Sequence, residues 1–398
     1  MLARVRTAHV MGRGGDMPTK SKANNCFPDY YVERHEDGTW HNMMWGTDLS
    51  VGGYVYAQPG MYLPKAPGKL AAITFDANSL HPSDAIQLNY MGDKTPRYKE
   101  LITARAHIKH KEFDAAREMF DGKLKKYLED ESKAGDLSNA LKTAANSLYG
   151  ITYTGYANPA RDPRNVNNII ALRGSLVMRT LRKNVENMGY KVIHIKTDSI
   201  KIADPDEKIC NYILDFGHSY GINYEVEHTW KSICLVNDAV FVGQHGDDDP
   251  KSPNEWETTG AEFQIPYIRK SLFTHEPIEF WDYCTTIQVG KGGALHLIYN
   301  EGGEHESDQF IGTVGAFVPM KCGYGGNLYR VSPSGKRSAA AGTKGFFWEE
   351  AGKVLDAHLE NFIDMDYFRK ECDDAVAHIN EFGSFDSLVG NDFMNPPE

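Results

Sequence analysis

Residues 192–202 read VIHIKTDSIKI. An apolar run is interrupted at Lys196-Thr197-Asp198-Ser199 and resumes through Ile200, Lys201 and Ile202. The β-branched aliphatics at 192, 195, 200 and 202 predict two short strands joined at a Thr-Asp-Ser turn. A hairpin of this kind lifts one carboxylate, Asp198, clear of the pleat. Read alone, Asp198 is equally a plain turn former, because Asp bonds its own backbone at such positions.

Upstream, residues 70–75 (LAAITF) predict a buried strand that ends at Asp76 and passes through the polar turn Asp76–Ser83 into a helix. An acid at a strand end, next to the backbone N–H groups of a helix start, is how a site holds a metal and a polyphosphate together. The plain alternative is a helix N-cap after a strand. Tyr98–Glu131 has a continuous helical pattern broken only by Gly122, with Arg105 and Lys109 four apart on one face. A solvated charged face would look the same. Gly135 marks a turn, and Asp136 caps a second helix over 137–149, ended by Gly150, which completes an αα-hairpin. Lys142, Asn146 and Tyr149 fall on one stripe of that helix.

The rest reads more coarsely. Gly52–Val55 opens a strand-like segment, and Pro64–Gly68 is a loop. Residues 151–168 form a loop and 169–188 a helix. The hairpin occupies 190–203, a helix 206–219, and strands 222–228 and 233–243. By composition Asp247–Pro253 is an exposed linker. Two amphipathic helices are expected near 347–361 and 364–382. The Gly-rich stretch 312–345, with Lys321, Lys336 and Lys344, suits either backbone contact with nucleic acid or a solvated, loop-rich region. Residues 1–50 carry one apolar patch, Trp40, Met43, Met44 and Trp45, and no repeat.

The bulk properties set limits. A chain of 398 residues accommodates two or three domains. Hydrophobic residues make up 41% and charged residues 24%, as in ordinary globular proteins. No apolar run approaches the roughly 20 residues that span a bilayer, and no apolar stretch follows Arg4, Arg6 and Arg13 to make a secretory signal. The expectation is a cytoplasmic protein. Six scattered cysteines lack zinc spacing, and free thiols in a reducing interior are the default. A net charge of −11 argues mildly against nucleic acid, yet basic residues bunch between Arg97 and Lys126 and between Arg161 and Lys183. A basic groove in an acidic body is compatible with that pattern.

Together, Asp76–Ser83, Lys142–Gly150 and Lys196–Ser199 resemble, in order and spacing, the polymerase motifs A, B and C of family B DNA polymerases. The first is similar to Asp-x-x-Ser-Leu-Tyr-Pro-Ser. The second matches Lys-x-x-x-Asn-Ser-x-Tyr-Gly at each fixed position. The third resembles the second half of Tyr-Gly-Asp-Thr-Asp-Ser. Val51–Tyr54 looks like the family's lead-in to the palm, and the HIKTDSIKI form looks most like phage members. Three motifs in order are far more specific than one.

The resemblance implies an α+β right hand, with an antiparallel-sheet palm (54–98 and 151–245), helical-hairpin fingers (99–150), a mixed thumb with C-terminal extension (246–398) and an N-terminal remnant or linker (1–53). It implies template-directed DNA synthesis from dNTPs on primed DNA, with two Mg²⁺ ions (Mn²⁺ as substitute) held by Asp76, the Ala77 carbonyl and Asp198. Lys142, Arg105 and Lys109 would meet the triphosphate, with Lys142 as acid to the leaving pyrophosphate. Ser79 and Leu80 would offer backbone N–H groups. His81 and Asn146 would line the nucleotide, and Tyr149, Gly150 and Thr197 would lie against DNA or the base pair. For a phage-encoded protein the compartment would be the host bacterial cytoplasm.

Departures from the family pattern are also legible. His81 stands for the family's tyrosine, which leaves ribose exclusion open, and Lys196 replaces the first acid of motif C. Asn237–Phe241 lacks the primer-gripping lysines. Only 75 residues precede Asp76, so a proofreading exonuclease is not expected in this chain; a separate exonuclease partner or a truncated form would account for that, and a processivity factor is a further partner of this class. A rival reading is a non-catalytic or partner-dependent DNA-binding subunit that keeps the palm as scaffold.

Overall fold

A computed structural model describes residues 30–34, 40–44, 47–48, 53–87, 89, 92–152, 156, 169–290, 292–340 and 342–390. The architecture is α+β, with antiparallel pairing along its strands. Contacts divide the chain into two units, one comprising residues up to Gln58, Pro64–Thr229 and Asp249–Lys251, the other Pro59–Leu63, Trp230–Asp248 and the remainder.

In the first unit, β1 (Tyr30–Arg34), β2 (Trp40–Met44) and β3 (Thr47–Asp48) form a three-stranded sheet. β4 (Val55–Ala57) pairs with a strand of the main sheet described below, and β5 (Gly60–Tyr62) belongs to the second unit. The strand expected to end at Asp76 is β6 (Ala72–Asn78), which runs two residues past it, and α1 (Leu80–Gln87) begins after Ser79. Ser79 takes φ 61°, which makes the tight bend between them.

The segment expected as one helix over Tyr98–Glu131 is broken. α2 (Thr95–Lys109) starts with Pro96 in its first turn, α3 (Phe113–Glu118) is short, and single 3₁₀ turns follow at Lys125–Tyr127 and Glu131–Lys133. Lys111, just past the end of α2, and Phe120, Asp121 and Gly122, just past the end of α3, all have positive φ, which a right-handed helix cannot continue through. α4 (Ala134–Thr152) is longer than 137–149, and Gly150 lies inside it rather than ending it. The break lets α2 fold back on α4: Ala104, Ile108, Ala116, Leu128 and Ala134 make a small core, and the Tyr98 hydroxyl donates to the Ala145 carbonyl.

α5 (Ile169–Asn187), β7 (Lys191–Lys196), β8 (Ser199–Ala203), α6 (Glu207–Ser219) and β9 (Asn223–Leu235) complete the unit, the last residues of β9 passing into the second. The sheet order is β4-β7-β8-β6, with β9 beside β6. Ile73 and Phe75, Val192 and Ile195, and Ile200 and Ile202 meet Val177, Leu181 and Val185 of α5 and Ile209, Ile213 and Phe216 of α6. The helical residues recur at i, i+4 and i+7 or i+8, one face each. Asp206 caps α6 by accepting from the Ile209 N–H at 2.9 Å. The strand pair 222–228 and 233–243 is instead one long strand, β9, and a second, β10 (Phe241–His245), because Asn237 folds the intervening turn by accepting from the Ala239 and Val240 N–H groups.

The second unit holds the end of β9 with β5 and β10, and β11 (Trp256–Thr258) beyond β10. Short α7 (Pro266–Arg269) and one turn of π-helix lead to a three-stranded sheet of β12 (Thr285–Gln288), β15 (Val314–Met320) and β18 (Phe347–Glu350). A four-stranded sheet holds β14 (Ser307–Gly312), β13 (Ala294–Tyr299), β16 (Asn327–Val331) and β17 (Arg337–Ala339) in that order. The Gly-rich stretch 312–345 therefore carries β15, β16 and β17 with turns between them. The helix expected over 347–361 begins as strand β18 and becomes α8 (Ala351–Asp356) only afterwards, since Phe347–Glu350 finds a ladder partner in β15. α9 (Met365–Asn380) and α10 (Phe385–Val389) close the chain, packing Ala375, Ile379 and Leu388 against Phe263 and Phe273.

Among the described residues no helix is long and apolar enough to cross a membrane.

Candidate active site

The hairpin turn is tight. Lys196 pairs with Ser199, so Thr197 and Asp198 form a two-residue loop. Thr197 has φ 59° and Asp198 does not have positive φ, the sign pattern of a II′ turn, whose first central position normally holds Gly. A β-branched residue there stores roughly 1–3 kcal/mol, a strain that concentrates at functional sites. The Thr197 N–H donates to the Tyr54 carbonyl at 3.0 Å, and β4 continues the pairing through Val55 and Lys196. A Cβ on Gly53 would lie 2.6 Å from the Thr197 Oγ1 and 2.9 Å from its Cγ2. Gly53→Ala is therefore expected to displace the turn, to cost about 1–3 kcal/mol in urea unfolding as overpacked sites do, and to lower activity by more than the stability loss explains. An unchanged unfolding curve would mean that the turn yields freely.

β6 brings Asp76 to the same place. Asp76 is opposite Ser199 in the β6–β8 ladder, and the next N–H, that of Ala77, donates to the Asp198 carbonyl at 2.9 Å. Burial pushes the Asp76 carboxyl up to about 7, helped by the negative charges of Asp198 and Glu227 and opposed by Lys251 and Lys109. Burial also raises Asp198. Its own backbone, His81 and Lys142 pull it down, and Glu227 adds to the rise. His81, in the first turn of α1, is lowered by burial while Asp198 pulls the other way. Asp76, Asp198 and Glu227 are thus one acidic cluster, and Lys142 of α4 is within electrostatic reach of it.

The cations come from α2. Arg105 donates to the Ser79 Oγ at 3.1 Å and to the Asn78 Oδ1 at 3.4 Å. One turn on, Lys109 bonds Glu225, which also accepts from Asn78 at 3.2 Å and meets His110 at 3.2 Å. Burial works against the Glu225 charge, but Lys109 and His110 hold that carboxyl below its ordinary value. Three other basic residues of this region are neutralised locally: Arg97 by Glu100 and Asp121, Arg117 by Asp114 and Glu131, Lys125 by Glu118. Part of the basic bunch in the sequence is thus a set of surface ion pairs, whereas Arg105 bonds Asn78 and Ser79 at the end of β6 and the Lys109 charge reaches Asp76.

Of the residues singled out in the sequence, Asp76, Ala77, Ser79, Arg105, Lys109, Thr197 and Asp198 meet here through backbone pairing, hydrogen bonds or charge, as do His81 and Lys142. Leu80 is buried in the core. Asn146 and Gly150 are exposed on α4, and no hydrogen bond joins them to the group among the described residues. The Tyr149 side chain lies outside the described residues, as do Arg161 and Arg164.

Glu225 and Glu227 escaped sequence reading. The signal was the alternation Tyr-Glu-Val-Glu in 224–227, which puts both acids on one face of a strand. The exposed linker predicted at Asp247–Pro253 is also corrected. Asp249 is buried, accepting from the Thr229 N–H at 2.7 Å and the Lys251 N–H at 2.9 Å.

Asp76, Asp198 and Glu227 offer hard oxygen atoms, the donor type that a divalent ion such as Mg²⁺ takes, and the Asp76 and Asp198 carboxyls are both raised, first by burial and then by the neighbouring negative charges.

No family model matches this chain, and no curated protein does. Among solved structures, a family B DNA polymerase from the hyperthermophilic archaeon Pyrobaculum calidifontis is similar at a TM-score of 0.44 and 12% identity, over 83% of this chain and 46% of that one. The chain thus spans under half the length of that structure.

Proposed function

We propose that this chain is a template-directed DNA polymerase that adds deoxynucleotides to a primer 3′ end, with β4, β6–β9, α1, α5 and α6 as palm and α2–α4 as fingers. The observation that carries the reading is the convergence of Asp76 and Asp198, from separate elements, on one half-buried cluster faced by cations from α2 and α4. Phosphoryl transfer is largely positioning and charge neutralisation, and this arrangement is suited to both.

Asp76, Asp198 and the Ala77 carbonyl would hold the metal ions. When bound, Mg²⁺ supplies activation of the primer 3′-oxygen and neutralisation of the triphosphate. The chain's own groups do the rest. The first turn of α1 begins with N–H groups that have no partner within the helix, and those at Ser79 and Leu80 would cradle the β- and γ-phosphates. Arg105, already on the Ser79 hydroxyl, fixes that bend and adds charge beside it. Lys109 and Lys142 would neutralise the remaining phosphate oxygens, and Lys142 would protonate the departing pyrophosphate. His81 would lie against the sugar, and Asn146 and Tyr149 against the nascent pair.

The test is primer extension on a primed template with Mg²⁺, comparing the chain with Asp198→Asn. Extension by the first and none by the second is the expected result. Binding of primed DNA without extension by either would replace this reading with that of a non-catalytic DNA-binding subunit.

A further inference from the structure

Glu227 is the member of the cluster that already has a cation. The Lys251 Nζ lies 2.8 Å from Glu227 Oε1. Lys251 comes from a three-residue segment, Asp249–Lys251, that packs with the first unit although its chain neighbours on both sides do not. The buried Asp249 carboxylate pins that segment to β9. It accepts from the Thr229 N–H and from the Lys251 N–H and meets the His228 Nδ1 at 3.2 Å. The anchor fixes the Lys251 backbone two residues along β9 from Glu227. A lysine on a free loop would spend side-chain entropy to reach a carboxylate, and here part of that cost is met by the tether. The Lys251 charge also reaches Asp76, where it opposes the effect of Asp198 and Glu227.

We propose that Lys251 is a tethered positioning cation that holds Glu227 in the metal-free protein and competes with a divalent ion for it, so that it weakens metal binding and keeps the empty cluster folded. The proposal rests on the polymerase reading in taking Asp76 and Asp198 as a metal site, and it adds Glu227, on the strand beside β6, as a further ligand. The competition is physically reasonable because the ammonium is half exposed, with 53% of its side chain accessible, and swings away without leaving a buried charge. Glu227 is less exposed, at 28%, and would keep its place on β9.

The experiment is Mn²⁺ titration of the full metal-free chain, followed by loss of the free-ion EPR signal. Wild type is compared with Lys251→Met, Lys251→Arg, Glu227→Gln and the Lys251→Met/Glu227→Gln pair, with Asp76→Asn marking the site. Lys251→Met is expected to bind Mn²⁺ about three- to fivefold more tightly, the range that a half-exposed ion pair supports. Lys251→Arg keeps the charge and should match wild type. With Glu227 already replaced, Lys251→Met should change nothing. Unchanged or weaker binding by Lys251→Met overturns the proposal, as does tightening that persists without Glu227. Binding that Asp76→Asn leaves intact in every form would remove the metal site itself, and with it both this proposal and the two-metal chemistry. Circular dichroism of each variant confirms the fold, and Lys251→Arg keeps the comparison valid if Lys251→Met does not refold.

Discussion

On the proposed polymerase reading, Asp76→Asn is expected to abolish primer extension and to make the metal-free protein harder to unfold. The first effect would follow from removing a proposed metal ligand that also bears charge at the proposed reacting centre. Loss of one charge-stabilising group in a desolvated site costs about a hundred- to a thousandfold, and loss of a metal ligand puts the expected fall at the upper end or beyond. The second effect has the opposite sign because Asp76 is poorly placed for stability. Its carboxyl is raised to about 7 by burial and by Asp198 and Glu227. In the unfolded chain it ionises near pH 4. Between those values the folded state binds the extra proton, so stability falls as pH rises through that window and levels off above about 7. An amide carries no charge to desolvate or repel, and the wild-type penalty disappears. The difference in thermal midpoint between variant and wild type should therefore be small near pH 4 to 5 and grow to a few degrees by pH 8. Asp84, raised to about 7 by burial against the pull of Arg173, gives both proteins the same slope, and the subtraction removes it. Added Mg²⁺ should narrow the gap by stabilising the wild type alone. A variant less stable than wild type at pH 8 would mean that the Asp76 carboxylate is satisfied by neighbours and not held for a cation.

What the sequence made legible was local. The hairpin at 191–203 and the strand ending at Asp76 rest on period-2 patterning and a turn residue. The helix expected over 206–219 is found over Glu207–Ser219, with Ile209, Ile213 and Phe216 buried along it. Elements decided by distant partners were misread. Phe347–Glu350 has the composition of a helix start, and only the free edge of β15 makes it a strand. Nothing near Lys111 signals a left-handed residue, so the pattern reads as one long helix where α2 and α3 divide, whereas the turn after Phe120 is signalled by Asp121-Gly122. The site followed the same rule. Asp76, Lys142 and Asp198 stand out because their neighbours form patterns, and Arg105 and Lys109 follow from helical spacing. Glu227 and Lys251 sit in unremarkable strings and gain meaning only when β9 is laid beside β6 and Asp249 folds its loop back. Asp249 itself, one of three consecutive aspartates, has the composition of an exposed turn, and its burial is paid through backbone N–H groups that no local pattern announces.

The largest stability loss is expected at a pair with no direct part in the chemistry, Arg173 and Asp84. Arg173 of α5 is 4% exposed in its side chain and Asp84 of α1 is wholly buried. The guanidinium bonds the Asp84 Oδ1 and donates to the Tyr220 carbonyl at 3.0 Å, joining α5, α1 and the end of α6. The second oxygen, Asp84 Oδ2, finds no hydrogen-bond partner. It faces Gly174, where a Cβ would lie 3.2 Å from it and 3.0 Å from Leu80 Cδ2, so the helices approach closely at this level. Arg173→Met leaves a buried carboxyl without its cation and should cost about 3–5 kcal/mol in urea unfolding. Asp84→Leu should cost a similar amount by stranding the guanidinium. The double variant should recover most of the loss, because a buried pair replaced by apolar side chains of like volume is often neutral. That recovery separates stability from positioning. α1 carries Ser79 and His81 at its start, and Arg173 is the buried polar link between α1 and α5. If the double variant folds like wild type but extends primers with a raised KM for the nucleotide, the pair aligns the start of α1 for the triphosphate. If KM and kcat are both unchanged, its work ends with the fold.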